Sequence, residues 1–236
     1  METGAIWTKY PSTYRQQEMQ ILAQWVAAVQ SGSVVGLPGC GRSNLLDFLC
    51  YRPEVLATYI PTLHQQVVLI PINLHTLPTT DIATFYRFIL RAFYHTRHRF
   101  SSALQEETTR LYQENAQQLD PFITQSAIEE LLLLFQSQST CVVWVLNYFD
   151  RFFEEAFFSE ETTPKTIDTL RGLRDTFKHT LCLIAGMSQE ITCLPNSELL
   201  GGLYELLDRN ICWVGAMVDQ DAHNLIARAM TIATVL

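Results

Sequence analysis

A glycine-rich segment at residues 33–46 has the residue types and the spacing best suited to binding an anion. Gly36, Gly39 and Gly41 precede Arg42 and Ser43, which fits the phosphate-binding pattern G-x-x-x-x-G-[K]-[ST] with arginine in the lysine position. In such a loop, backbone N–H groups converge on phosphate oxygens, and the following helix directs its positive end at the anion. Glycine is required because the loop adopts positive φ angles and because a Cβ would collide with the ligand.

The sequence therefore predicts a nucleotide-binding site in this segment, and we call residues 36–43 the glycine loop. The Ser43 hydroxyl is the expected ligand of a Mg²⁺ ion that accompanies the nucleotide. Arg42 keeps the positive charge of the usual lysine, but its planar guanidinium is bulkier and differently aimed, which favours binding over catalysis. The predicted nucleotide-binding residues are Gly36, Leu37, Pro38, Gly39, Cys40 (through its backbone N–H), Gly41, Arg42, Ser43 and Asn44.

A second group of candidate residues follows an apolar strand predicted at residues 141–146. Enzymes that hydrolyse nucleotides usually place an Asp-Glu pair here, to hold Mg²⁺ and to polarise the attacking water. Asn147 and Tyr148 occupy those two positions. Asn147 brings no charge, and Tyr148 cannot act as a base at neutral pH because a phenol has a pKa of about 10. Asp150 is the remaining candidate catalytic carboxylate, although a surface cap or an ion pair with Arg151 is the more ordinary explanation.

Hydrophobic periodicity predicts five strands that alternate with helices, which indicates an open, mostly parallel α/β sheet. The expected strands are 33–37, 67–74, 141–146, 181–185 and 211–214, and the expected helices are 12–31, 45–50, 81–98, 102–118, 124–137, 164–177, 197–207 and one that starts at 219. Thr13, Asp81 and Ser126 are the expected helix caps, and Pro71 predicts an edge strand or a bulge. The acidic, aromatic segment 150–163 is the expected exposed loop.

Composition limits the classes of protein to which this chain can belong. The chain has 236 residues, of which 48% are hydrophobic, and a net charge of −8, so its overall field repels DNA and anionic membranes. Its six cysteines form no C-x-x-C pair, and its first residues lack the pattern of a signal peptide. No apolar run approaches the ~18 residues that a membrane-spanning helix needs. We expect a cytoplasmic protein without a membrane partner.

The glycine loop, the strand before Asn147 and the two later strands together resemble the AAA+ group of P-loop NTPases, and within it the STAND and origin-recognition (replication-initiator) ATPases. Residues 14–18 resemble the opening segment that lies beside the adenine in that family, and residues 207–215 resemble the entry into its helical lid. The resemblance implies a three-layer P-loop NTPase fold with a mostly parallel five-stranded sheet, and ATP or ADP as cofactor. It divides the chain into a lead-in helix (1–31), a core (32–216) and the start of a lid (217–236).

The chain departs from the family pattern at the positions that carry catalysis. Arg42, Asn147 and Tyr148 stand where the family has lysine, aspartate and glutamate. The lid is expected to be truncated after one helix, without the sensor arginine of the family, and Ser188 is a candidate for its polar sensor. The resemblance therefore implies a pseudo-ATPase, a nucleotide-binding domain with weak or no hydrolysis and a regulatory or assembly role.

Two other functions stay open at the level of sequence. An active ATPase could be completed by Asp150 or by a partner subunit. A protein- or DNA-interaction scaffold could have lost nucleotide binding, and a protein partner or self-association is expected in either case. Two features favour the scaffold: the lid expected to be truncated, and an aromatic cluster expected to be exposed (Phe149, Phe152, Phe153, Phe157 and Phe158). A basic stripe could bind phosphate backbones or an acidic partner, but it also fits a solvated helix face (Arg87, Arg91, His95 and Arg99, with Arg97 and His98 alongside).

Overall fold

A five-stranded parallel sheet forms the middle layer of the molecule. The structure is a computed structural model that describes residues 7–8, 10–60, 65–79, 81–155, 157 and 159–233, with side chains described up to residue 226. The spatial order of the strands is β2-β3-β4-β1-β5, and all neighbouring pairs are parallel. The strands are β1 (Gly32–Val35), β2 (Gln66–Asn73), β3 (Thr140–Asn147), β4 (Leu181–Met187) and β5 (Ile211–Trp213). This α/β architecture confirms the predicted fold class.

Helices cover both faces of the sheet, which makes the fold three-layered. In chain order they are α1 (Gln16–Ala27), α2 (Arg42–Tyr51), α3 (Leu56–Tyr59), α4 (Ile82–Thr96), α5 (Ser102–Asn115), α6 (Pro121–Ser137), α7 (Thr162–Thr176), α8 (Gly202–Asp208) and α9 (Asp219–Ala233). Helices α1 to α3 share one hydrophobic core with the sheet, and α4 to α8 share the other. Strand β3 serves both cores, since Val142 and Trp144 face one and Cys141 and Val143 face the other. No described helix is long and apolar enough to cross a bilayer.

The strand register brings the functional candidates to one edge of the sheet. Asn73 at the end of β2 is paired with Asn147 at the end of β3, and Asn147 is paired with Gly186 near the end of β4. Val35, the last residue before the glycine loop, is paired with Met187. Because the strands are parallel, all of these carboxyl ends open on the same side, where ligands bind in open α/β sheets.

The sequence predicts most of the elements correctly but misplaces several helix starts. The helix expected at 197–207 begins at Gly202 as α8, after a separate 3₁₀ turn at Ser197–Leu200. Pro71 does lie on an edge strand, and Asp81 does cap α4 by accepting the Thr84 N–H at 2.9 Å. Helix α1 begins at Gln16, after Arg15, with no side-chain cap from Thr13. Helix α6 begins at Pro121 with Asp120 as its cap. Ser126 is inside that helix, and its hydroxyl donates back to the Phe122 carbonyl at 2.9 Å.

The aromatic segment after β3 is buried, so the prediction of an exposed loop is wrong for its first part. Phe149–Phe153 form a short 3₁₀ helix, and the side chains of Phe149, Phe152 and Phe153 are at most 2% exposed. Phe157 is half-buried against the same core, and Phe158 lies outside the described residues. The rings of Phe149, Phe152 and Phe153 therefore stabilise the fold, and they offer no surface to a partner.

Asp47 on α2 makes the stability of the protein depend on pH. Burial raises the pKa of its carboxyl from 3.8 to about 6, and no described group donates a hydrogen bond to it. Because the folded state binds the proton more tightly than the unfolded chain, stability falls as pH rises from about 4 to 6 and stays low above. Asp47→Asn is therefore expected to stabilise the protein by about 1–2 kcal/mol at pH 7.5 and by little at pH 4.

Chemical denaturation of Asp47→Asn at both pH values measures this difference. The matched control is Asp175→Asn on α7, because the Asp175 side chain is 62% exposed and pairs only with Arg171 at 3.6 Å. The control is expected to change stability by less than about 1 kcal/mol at either pH. An equal gain for Asp47→Asn at pH 4 and pH 7.5 would contradict the assignment.

Candidate nucleotide-binding site

The glycine loop connects β1 to α2 with a backbone that requires glycine. Gly39 and Gly41 have φ angles of 86° and 91°, in the left-handed region that other residues rarely adopt. At Gly36, a Cβ would approach the Cys40 Sγ to 2.5 Å and the Val214 Cβ to 3.0 Å. The three glycines of the sequence pattern are therefore explained by backbone conformation and by close packing inside the loop.

The loop leaves a group of backbone amides free to bind an anion. Its own geometry is fixed by two hydrogen bonds, from the Gly36 N–H to the Met187 carbonyl and from the Cys40 N–H to the Leu37 carbonyl, both at 3.1 Å. Cys40 thus differs from the expectation, because its N–H is already engaged within the loop. The N–H groups that donate to no acceptor in the described chain are those of Gly39, Gly41, Arg42, Ser43 and Asn44. They surround the first turn of α2, where the helix dipole is positive.

The side chain of Arg42 is a buried cation without a counter-ion. It is only 7% exposed, and no described carboxylate forms an ion pair with it. Its one hydrogen bond runs from Nη1 to the Gly36 carbonyl at 3.5 Å, the limit of such a contact, while Nε is buried without a partner. Its guanidinium carbon is 5.3 Å from the centre of the Tyr148 ring. A buried charge in this state needs an anion to compensate it.

Ser43, Asn147 and Tyr148 meet beside the loop, as their sequence positions predict. The Ser43 hydroxyl lies 3.2 Å from the Tyr148 hydroxyl and 3.5 Å from the Asn147 Oδ1. The same Asn147 oxygen accepts the Tyr148 N–H at 3.1 Å, which helps to hold Tyr148 in its left-handed conformation with φ of 62°. The two residues that replace the family's carboxylates therefore form a neutral hydrogen-bonded group with Ser43.

Asp150 is hydrogen-bonded to Ser188, the residue after β4, and does not form the predicted ion pair with Arg151. Its Oδ2 accepts the Ser188 N–H at 2.8 Å and also the Ser188 hydroxyl. Arg151 turns away and donates to the carbonyls of Leu74 and His75. Its guanidinium carbon lies 4.1 Å from the centre of the Phe157 ring. Asp150 and the sensor candidate Ser188 thus form one pair at the edge of the site.

These residues enclose a cavity of about 510 Å³. It is lined by Leu37, Pro38, Gly39, Gly41, Arg42, Ser43, Asn44, His75, Tyr148, Asp150, Glu154 and Ser188. His75 and Glu154 were not predicted from the sequence as residues of the site. The signal for His75 was its position just after β2, because the carboxyl ends of adjacent parallel strands meet at one edge. Glu154 had no comparable signal, since the turn that places it is set by the packing of the preceding phenylalanines.

Comparison with known proteins places this geometry in a known fold. No protein-family model and no curated protein matches the sequence. The structure of the Aeropyrum pernix ORC2 protein in its ADP form matches 91% of this chain, at 10% identity and a TM-score of 0.56, and its ADPNP-ADP complexes match with a TM-score of 0.57. The Walker-type ATPase PABY2304 of Pyrococcus abyssi matches 93% of this chain, at 11% identity and a TM-score of 0.55. The chain has the P-loop NTPase fold of these solved structures.

The chain spans about half the length of the solved structures it matches, with 52% of ORC2 and 58% of PABY2304 covered. The position of the glycine loop at the end of β1 is the one that the sequence resemblance implied. The comparison therefore confirms the fold, and the chemistry of the site has to be argued from this chain's own residues.

Arg15 links three parts of the fold at one buried residue. Its guanidinium donates to the Cys40 carbonyl in the glycine loop at 2.5 Å and to the Gly215 carbonyl after β5 at 2.9 Å, and it pairs with Glu18 at 2.9 Å. Its backbone N–H donates to the Asp221 carboxylate of α9 at 3.0 Å. The start of α1, the glycine loop and α9 are thus held together at a residue that is 2% exposed.

The basic stripe on α4 is engaged mainly with its own surroundings. Arg87 donates to the Thr84 hydroxyl at 2.8 Å, and Arg91 donates to the His95 ring at 3.2 Å. The Arg97 guanidinium lies over the Tyr94 ring at 3.7 Å, and Arg99 donates to the Cys50 carbonyl. These contacts are those of a helix face with partly exposed cations.

The thiols add no nucleophile to the site. Burial raises the pKa of Cys141 and of Cys212 to about 12, and it raises the pKa values of Cys50 and Cys182 as well. A thiol with a raised pKa stays protonated and unreactive at neutral pH. The four buried cysteines therefore act as small hydrophobic residues of the core.

Proposed function

We propose that this protein binds ATP or ADP in the cavity of the glycine loop, hydrolyses it slowly or not at all, and serves a regulatory or assembly role. The observation that carries the proposal is the buried, unpaired Arg42 beside five free backbone amides. A buried cation without a counter-charge lowers the stability of the fold, so it is retained where a bound anion compensates its charge. Phosphate groups match both the charge and the fork of donors that a guanidinium presents.

The polar side chains of the cavity support binding more than hydrolysis. The Ser43 hydroxyl is the one family-type Mg²⁺ ligand that this chain retains, and its neighbours Asn147 and Tyr148 are neutral. Asp150 is occupied by two hydrogen bonds from Ser188, so it is poorly placed to polarise a water. Loss of one well-placed electrostatic donor typically costs a catalytic site about 2.7–4 kcal/mol of barrier lowering. The absence of both carboxylates is consistent with a pseudo-ATPase.

We also propose that the protein binds a protein partner or a second copy of the chain. Three large apolar side chains near the site are mostly exposed: Leu37 in the glycine loop, Trp213 on the edge strand β5, and Val218 before α9. We place the protein in the cytoplasm because its cysteines are free thiols. We also propose that the chain consists of a lead-in (1–31), a core (32–216) and the start of a lid (217–236).

Calorimetric titration with ATP and with ADP, paired with a phosphate-release assay, tests this function. We expect saturable binding of at least one nucleotide, and turnover far below the ~1 s⁻¹ that marks the slow end of ordinary enzymes. Saturation at about 100 times the Kd should stabilise the fold by about 2.7 kcal/mol.

Two outcomes would contradict the proposal in different ways. An unchanged melting temperature at millimolar ATP and ADP, with no heat of binding, would reject the nucleotide site and favour the scaffold. Phosphate release near ~1 s⁻¹ that Asp150→Ala abolishes would show an active ATPase.

A further inference from the structure

The place that a divalent cation would take is filled by a neutral hydrogen-bonded group. Mg²⁺ needs near-octahedral oxygen ligands at about 2.0–2.1 Å and is usually held through one or two carboxylates together with substrate phosphates. Around Ser43 the chain offers one aliphatic hydroxyl, the Tyr148 phenol and the Asn147 amide. The Ser43 hydroxyl lies 3.2 Å from the phenol oxygen and 3.5 Å from the Asn147 Oδ1, and that Oδ1 also accepts the Tyr148 backbone N–H at 3.1 Å. These donors do not fit a magnesium ion, because none is charged and each already has a partner.

The positive charge of the cavity comes from a fixed side chain. Arg42 is 7% exposed, packs against the Tyr148 ring, and keeps a buried Nε without a partner. A guanidinium and a phenol together can donate several hydrogen bonds to phosphate oxygens, which is the task that a metal performs electrostatically. Both groups are in place without any ion.

The lining of the same cavity also includes two carboxylates. Asp150 and Glu154 line it, and Glu154 is exposed while Asp150 is held by Ser188. A phosphate chain that starts at the glycine loop and extends across the cavity approaches these carboxylates. Each additional phosphate then adds a negative charge near two like charges, without a divalent cation to screen it. The arrangement penalises a triphosphate more than a diphosphate.

We propose that the site takes a nucleoside diphosphate in its metal-free form, with Arg42 and the Tyr148 hydroxyl in place of Mg²⁺. The inference rests on the proposed function, since it specifies which nucleotide species the same loop selects. It makes Tyr148 a specificity-determining residue, and it makes Glu154 the residue that discriminates against a third phosphate.

The test is calorimetric titration of the full chain with ADP and ATP, each in EDTA and in excess Mg²⁺. We expect ADP to bind in EDTA at least as tightly as in Mg²⁺, and at least about threefold more tightly than ATP, a difference that corresponds to a weak charge repulsion. ADP binding that appears only with Mg²⁺, or that Mg²⁺ tightens more than about tenfold, would overturn the inference while leaving the proposed function intact. Absence of binding under all four conditions would instead reject the proposed function.

Two variants test the roles of Tyr148 and Glu154 separately. Tyr148→Phe keeps the ring against Arg42 and should weaken ADP binding in EDTA about fivefold, the worth of one hydrogen bond. Glu154→Gln should bring the affinities for ATP and ADP together, whereas Glu155→Gln, a neighbouring exposed carboxylate outside the cavity lining, should not. Thermal melting verifies that each variant is folded. An unchanged ADP affinity in folded Tyr148→Phe, or an unchanged ratio in Glu154→Gln, would overturn the assignment of that residue.

Discussion

Arg42→Met is expected to lower the affinity for nucleotide about 100-fold and, at the same time, to raise the stability of the free protein by about 1–3 kcal/mol. The stability gain follows because methionine fills the same space without an unpaired charge. The affinity loss follows because Arg42 is the only arginine or lysine among the described residues that line the cavity. Urea denaturation and ADP titration on the same sample measure the two effects.

Arg174→Met is the matched control for these two opposite effects, the loss of affinity and the gain of stability. Arg174 is also buried, at 9% exposed, but its Nε donates to the Ser31 hydroxyl at 3.1 Å and its Nη2 to the Val29 carbonyl at 2.9 Å. Both acceptors precede β1, whereas the glycine loop follows it, so the two sites lie at opposite ends of this strand. This variant should lose about 2–3 kcal/mol of stability and keep its nucleotide affinity. A destabilised Arg42→Met with unchanged affinity would show that Arg42 is a structural residue.

Arg15→Met is expected to destabilise the fold by about 3–5 kcal/mol, the largest effect on stability that we predict. The substitution leaves the Cys40 and Gly215 carbonyls and the Glu18 carboxylate without their donor in a region that is almost fully buried. It also disconnects the lead-in segment from the glycine loop. Equilibrium denaturation in urea measures the change in the free energy of unfolding.

Arg110→Met provides the comparison for Arg15. Arg110 forms more ion pairs than Arg15, with Glu107, Glu114 and Glu130 at 2.7 to 2.9 Å, but its side chain is 42% exposed. Solvent screening limits such pairs, so this variant should lose less than about 1 kcal/mol. Equal losses for Arg15→Met and Arg110→Met would refute the role of Arg15 as a buried link.

The fold could be predicted from sequence because its strands are short apolar runs between turn-forming residues. The run that contains Trp144 indicates a strand covered on both faces, and Pro71 correctly indicates an edge. Helix starts were less predictable, because Thr13 and Ser126 are both good caps in isolation and packing decided against them. The segment after β3 was misjudged from its acidic residues, although the i, i+3 and i+4 spacing of Phe149, Phe152 and Phe153 indicates one buried face.

The site was predictable where it depends on local spacing. The three glycines, Arg42 and Ser43 lie within eight residues, and the end of β3 supplies Asn147 and Tyr148 at the neighbouring strand. Contacts between distant segments could not be read from the sequence. The bond from Ser188 to Asp150 and the links from Arg15 to Cys40 and Gly215 depend on how strands and loops align in three dimensions. The unpaired state of Arg42 is likewise a property of the packed structure.

The glycine loop thus combines an intact anion-binding backbone with altered side chains around it. Free amides and a buried cation favour phosphate, while the Asn147–Tyr148 pair removes the charges that hydrolysis uses. Under the proposed function, the protein would respond to a bound nucleotide without consuming it, because binding alone shifts the population of folded or assembled states.

Amide chemical shifts measured by NMR during an ADP titration test the central claim most directly. If the loop binds phosphate, the N–H signals of Gly39, Gly41, Arg42, Ser43 and Asn44 should shift together and saturate with a single Kd, while that of Cys40, which is bonded to Leu37, should move less. Saturable shifts confined to another part of the protein, or no shifts in these amides at millimolar ADP, would contradict nucleotide binding at the glycine loop.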